Sequence, residues 1–191
     1  MITHKGTQTI KTERLLLRKI LPDDAERVYA WMGDPEVCKY ERWEPHPNAD
    51  YVRGYIHAVF NGYESERLYH WGIELDGALI GSVCMVNVDD NDQKAVLGYC
   101  LAREFWSNGY ATEAAKAVLE YAFCEINLNR IEASHSVNNS ASGRVLEKVG
   151  MVLEGRAKDY YYCNAGFQDS NLYAITKEQY MRLKSERGTA G

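Results

Sequence analysis

The sequence predicts a single α/β domain built on a mostly antiparallel sheet flanked by helices. Three observations carry that expectation. Asp76-Gly77 lies between two apolar runs, WGIEL and ALIGSVCMVNV, which is a strong hairpin signal. From Thr112 to Ile126 the apolar residues recur at helical spacing. Around them the elements follow the order strands, then strand-helix-strand-helix, then strands.

The elements can be justified in turn. RLLLRKI (14–20) reads as a short strand, and Pro22, Asp23 and Asp24 then suit a helix start, since proline lacks the N–H that a first turn leaves unused. Ala25, Val28, Tyr29 and Met32 share one helical face, and Gly33 and Pro35 end that helix. A second helix is expected from about Asp50 to Phe60. After the hairpin and the polar turn DDNDQK, VLGYCL supplies a further strand, extending an antiparallel meander. Ala114, Ala115, Val118, Leu119, Ala122, Phe123 and Ile126 form one stripe, with Glu113, Lys116, Glu120 and Glu125 mostly opposite. RIEASHSV (130–137) alternates as a strand, SASGRVLEKV is a helix closed by Gly150, and MVLEG and NLYAIT are late strands. The last residues, SERGTAG, read as a frayed tail.

Composition narrows the function classes. A chain of 191 residues suits one domain of roughly 100 to 200 residues with a core that needs neither metal nor disulfides. Hydrophobic residues at 46% and charged residues at 26% match a globular protein rather than a disordered or fibrous one. No window approaches 18 apolar residues and the start is too polar for a signal peptide, so a cytoplasmic protein without a membrane partner is expected. The five cysteines are dispersed and form no CxxC pair, so no metal site is expected and most should be small core residues. A net charge of −5 disfavours nucleic acid as a partner.

The chemistry concentrates in WSNGYATEA (106–114), where a strand ends and a helix begins. The first amides of a helix have no carbonyl one turn back, and with the helix dipole they suit a phosphate. Gly109 would let a pyrophosphate approach the backbone, although a lone glycine also serves a tight turn. The segment has neither the GxxxxGK[ST] of a P-loop nor the GxGxxG of a dinucleotide turn, which leaves another phosphate-bearing cofactor.

Taken in order, TERLLLR, LGYCL, WSNGYATEA, NNSASGRVLEKVGM and LEG resemble the GNAT superfamily of N-acetyltransferases, in the branch that contains the RimJ/RimL-type enzymes of ribosomal-protein N-termini and relatives acting on polyamines and antibiotic amines. The resemblance implies the acyl-CoA N-acyltransferase fold over residues 12–177, with 1–11 and 178–191 as terminal extensions, and a splayed sheet holding acetyl-CoA where two central strands part. Two departures stand out. Trp106 occupies the place of the general Gln or Arg, and Ser107-Asn108 that of a common Gly-Lys.

By the resemblance, Trp106, Ser107, Asn108, Gly109, Tyr110, Ala111 and Thr112 surround the pyrophosphate. Strand 96–101 lies along the pantetheine arm, with an N–H near Cys100 or Leu101 on the thioester carbonyl. Asn139 and Ser142 would contact pantetheine and sulfur; Asn139 is also a good N-cap. Glu147 and Lys148 read as a solvated helix face. Acetyl transfer by direct attack of an amine needs a base and an acid for the thiolate. Many relatives place a glutamate where this chain has Val96. Asp159, and Glu41 or Glu44 in a segment (YERWEPHP) that would cover the acceptor groove with Tyr160, are then the carboxylates to weigh. His135 shares a strand face with Ile131, Ala133 and Val137 and reads as a core residue. Ser142 and Tyr161 compete as the acid, the tyrosines equally as packing residues of a hairpin turning at Asn164 and Gly166. A protein N-terminal Ala or Ser leads as acceptor, with a polyamine or other small amine as the alternative, and with Val96 a CoA-binding protein without chemistry is a third reading. Homodimers are common in such families.

Overall fold

The computed structural model describes residues 2–188. One eight-stranded sheet runs β1 (Ile10–Lys11), β2 (Leu16–Arg18), β3 (Tyr69–Leu75), β4 (Ala78–Asp89), β5 (Lys94–Leu101), β6 (Arg130–Ser136), β8 (Gly166–Thr176), β7 (Val152–Cys163). Every neighbouring pair is antiparallel except β5 and β6. At the β3–β4 turn Asp76 and Gly77 both have positive φ, 49° and 81°, as a two-residue turn that follows the strand twist requires.

Two layers of helix cover the sheet. On one face lie α1 (Ala25–Met32), the short α2 (Pro35–Cys38) and α3 (Ala49–Gly62). Their Val28, Trp31, Met32, Val37, Val52 and Ile56 enclose a core with Ile20 and Leu79. On the other face α4 (Tyr110–Glu120) and α5 (Ser140–Val149) bury Ala114, Ala115, Val118, Leu119, Leu146 and Val149 against the sheet. Each fully buried leucine or valine there contributes about 1.5–3 kcal/mol. The stripe continues past Glu120 as a wider turn, Tyr121–Glu125, closed by Ile126 N–H to Tyr121 O at 3.2 Å.

Several boundaries differ from the sequence reading. The first strand shrinks to Leu16–Arg18 because Thr12 N–H and Leu15 O close a turn at 2.9 Å. The late strands are longer than MVLEG and NLYAIT, since β7 carries bulges after Leu153 and Ala157 that break its alternation. Residues 185–188, read as frayed, form the end of α6 (Lys177–Gly188), whose Leu183 packs on the core; 189–191 lie outside the described residues. Cys38 and Cys163 are buried and Cys84 and Cys100 half-buried, but Cys124 is exposed, on the side of the helix opposite the apolar stripe. Among the described residues no helix is long and apolar enough to cross a membrane.

The parting of β5 and β6 organises the rest. They pair in parallel only over Lys94–Val96 and Arg130–Glu132. Beyond that β5 stays with β4 and β6 with β8, leaving a wedge between them.

Candidate functional site

The wedge exposes one edge of β5. Ala102 N–H donates to Ile80 O at 2.9 Å, so the alternation of an antiparallel pair commits the amides of Cys100 and Gly98 to β4 and, beyond the last β5–β6 pair, aims those of Tyr99 and Leu101 into the wedge. Of the two expected amides, that of Leu101 faces the gap. Across it Tyr99 reaches the start of α5, its hydroxyl 3.0 Å from Ser142 O and 2.9 Å from Ser142 Oγ. Asn139 caps that helix, its side chain accepting from Ser142 N–H at 3.3 Å. Burial pushes the Tyr99 phenol up, keeping it protonated and able to donate.

At the mouth of the wedge stands the loop before α4. Trp106 Nε1 donates to Leu101 O at 2.9 Å, tying the loop to the end of β5. Ser107 and Gly109 take left-handed φ values of 64° and 84°. Such turns of sign make successive amides converge, and α4 adds its own unpaired first amides at Tyr110, Ala111 and Thr112. A Cβ on Gly109 would approach only Arg14, at 3.5 Å, so the outer side of the glycine is open. The loop is exposed from Trp106 to Gly109.

On the sheet face toward α1 and α3, a cavity of about 160 Å³ adjoins β5. Gly98 and Cys100 of β5 and Ser82 and Cys84 of β4 border it beneath, while Trp31, Met32, Trp43 and Tyr55 give apolar and aromatic walls. Among the described residues Glu41 is the only carboxylate that lines it. Burial raises the Glu41 pKa to about 6, with a hydrogen bond from the Trp43 side chain partly offsetting it. His70, also lining, is lowered to about 4 by burial and is neutral near pH 7. Cys100 and Cys84 are pushed up to about 12 and about 11, first by burial and then by the Glu41 charge, so they stay as thiols.

Glu41 is held from a distance. Asn164, at the β7–β8 turn, donates both amide protons, to Cys38 O at 2.8 Å and Trp43 O at 2.9 Å. Tyr161 OH donates to Tyr40 O at 3.0 Å, and Arg42 stacks over the Tyr161 ring at 4.9 Å. The Tyr161 phenol is pushed up to about 12, chiefly by burial.

The other candidates lie apart from these groups. Asp159 is exposed on a β7 bulge, φ 46°, its N–H donating to Asp169 Oδ1 at 3.0 Å. Glu44 and Tyr160 are exposed, as are Glu147 and Lys148 on α5. His135 is buried against Gly143, with Nδ1 2.7 Å from Ser136 O and no partner for Nε2. The sequence reading missed Tyr99, His70 and Asn164 as site residues. It quoted TERLLLR without giving Thr12 or Arg14 a task; the helical face of α4 that carries Glu113 was the one local clue to their partner.

Comparison with known proteins identifies the family and the fold. The acetyltransferase (GNAT) domain family matches residues 14–152. An uncharacterized N-acetyltransferase, YoaA of Bacillus subtilis, is 34% identical over 170 residues, 88% of this chain and 96% of its own. The putative ribosomal N-acetyltransferase YdaF of the same organism is 32% identical, covering 88% and 94%. A spermidine N(1)-acetyltransferase of Escherichia coli is 24% identical over 86% and 87%. A GNAT-family acetyltransferase structure from Bacillus anthracis superposes with a TM-score of 0.79 at 29% identity, covering 90% and 99%. Among the described residues no group of three or more His, Cys, Asp or Glu could hold a metal ion.

Proposed function

The chain belongs to the GNAT acetyltransferase family, which uses acetyl-CoA as cosubstrate, and on that premise we propose that it acetylates a protein N-terminus beginning with Ala or Ser. The observation that carries the acceptor reading is the cavity beside β5: small, aromatic, and lined by a single carboxylate, Glu41. One ammonium with a small side chain suits it. A polyamine brings further ammonium groups, for which the lining offers no second carboxylate.

In this reading the amides of Ser107 to Thr112 take the pyrophosphate, Asn139 flanks the pantetheine arm, and the arm lies along the free edge of β5. The Leu101 N–H polarises the thioester carbonyl, a role in which one lost donor typically costs about 2.7–4 kcal/mol. The amine nitrogen attacks the acetyl carbon, the new C–N bond forms and the C–S bond breaks. Glu41 accepts the amine proton, standing in for the glutamate missing at Val96, and the Ser142–Tyr99 hydroxyl pair protonates the departing thiolate. A carboxylate with a pKa near 6 is ionised at neutral pH yet far more basic than an exposed one, which suits a general base. Transfer is direct: thiols at about 11 and 12 leave Cys84 and Cys100 too little thiolate to form an acyl intermediate. Asp159, on its exposed bulge, has no part in this scheme, and Tyr161 acts by holding the Glu41 loop.

The test is acetyl-CoA-dependent thiol release with an Ala- or Ser-initiated peptide and with spermidine, each against a no-acceptor control. Acceleration by the peptide alone is expected. Acceleration by spermidine alone would overturn the acceptor assignment, and acceleration by neither would remove both acceptors.

A further inference from the structure

We infer that Arg14 is a positioning residue for the phosphate loop, locking the Asn108–Gly109 peptide so that the Gly109 N–H faces the cofactor. The inference rests on the proposed placement of the pyrophosphate at this loop. Arg14 Nη1 donates to Asn108 O at 3.2 Å. In a trans peptide the C=O and the following N–H point in opposite directions, so drawing the Asn108 carbonyl toward Arg14 turns the Gly109 amide away from it, to the open side of the loop.

The guanidinium is itself fixed. Its Nε and Nη2 each lie 2.7 Å from Glu113 Oε2, in the first turn of α4, and its plane lies over the Tyr110 ring with 4.6 Å from Cζ to the ring centre. The other Glu113 oxygen accepts from Thr12 Oγ1 at 2.6 Å and from the Arg14 N–H at 2.8 Å. Thr12, Arg14 and Glu113 thus form a brace from the β1–β2 turn to the start of α4. It accounts for two residues of the TERLLLR motif. It also shows how a loop with Asn108 in place of the common lysine keeps its shape: the cation stands outside the loop and acts on a carbonyl. Because Glu113 already pairs with it, Arg14 contributes geometry rather than free positive charge. Arg14 and Lys therefore differ here, since a lysine ammonium has no planar fork to bond Glu113 and Asn108 together.

The test compares Arg14→Gln and Arg14→Lys with the parent protein by acetyl-CoA titration and by turnover of S-acetylpantetheine, a donor without pyrophosphate. Both variants are expected to weaken acetyl-CoA about 10-fold or more while leaving S-acetylpantetheine turnover and the salt dependence of acetyl-CoA binding unchanged. Parental affinity in Arg14→Lys would overturn the inference, because charge alone would then suffice. Parental affinity in Arg14→Gln, or equal loss with both donors, would overturn it too. Gly109→Trp separates this from the underlying reading: it should abolish acetyl-CoA binding and spare S-acetylpantetheine. Unchanged affinity there would reject the loop as the pyrophosphate site, whereas loss there with parental affinity in both Arg14 variants would reject only the brace.

Discussion

Glu41 decides whether the cavity is chemical or merely apolar. Its carboxyl faces Tyr99, Cys84 and Cys100, whose pKa values all rise in part through its charge. If it takes the proton from an entering ammonium, kcat/KM for the acceptor should be bell-shaped. The rising limb would lie near pH 6, where Glu41 ionises, and the falling limb near the ordinary α-amine value of about 8. Glu41→Gln should lower kcat by about 10²- to 10⁴-fold and abolish the rising limb while acetyl-CoA affinity holds. Retention of the rising limb would assign the base elsewhere. Val96 lies at the last β5–β6 pair, before the strands part, and opposite Glu132.

The β7–β8 hairpin carries the segment that presents Glu41. Asn164, Tyr161 and Cys163 bond the carbonyls of Cys38, Trp43, Tyr40 and Lys39, so the loop between α2 and α3 borrows its order from a turn on the far side of the sheet. Asn164→Ala removes two donors to carbonyls that water then partly satisfies, costing about 1–3 kcal/mol of local order. Its expected signature is a fall in kcat, with the acidic limb of the pH profile moving down from about 6 toward the ordinary carboxylate value as the loop opens. Global melting should change by only a few degrees. A parental pH profile in Asn164→Ala would mean that the loop holds Glu41 by itself. The sequence reading correctly took Asn164 as a turn residue; its use of a carbonyl 126 residues away has no local signal.

For the whole molecule, acid should unfold the chain through its paired carboxylates. Partial burial would raise the Glu113 pKa, but the bonds from Thr12 and Arg14 outweigh it and hold it below the usual range. A depressed carboxylate contributes stability above its unfolded value that is lost as pH falls through its folded value. Glu41 has the opposite sign: the cost of ionising it in the folded state grows between the unfolded value and about 6 and is present in full above that. Denaturant midpoints measured from pH 7 to pH 3 should therefore fall less steeply in Glu113→Gln than in the parent. In Glu41→Gln the midpoint should rise at pH 7 and approach the parent's near pH 4. Equal slopes for parent and Glu113→Gln would exclude the brace as a contributor to acid sensitivity. What the sequence determined alone is what local physics encodes. Helical periodicity placed α4, Asp76-Gly77 placed the hairpin, Gly109 and Gly150 marked helix ends, and the ordered motifs pointed to the family. Only the tertiary structure decided which edge of β5 is free, that Arg14 meets Asn108, and that Glu41 rather than Asp159 stands at the cavity. The Arg14–Asn108 and Tyr161–Tyr40 contacts join residues 94 and 121 positions apart, and no periodicity or turn chemistry within a window of sequence records which distant carbonyl a side chain will find once the sheet has closed.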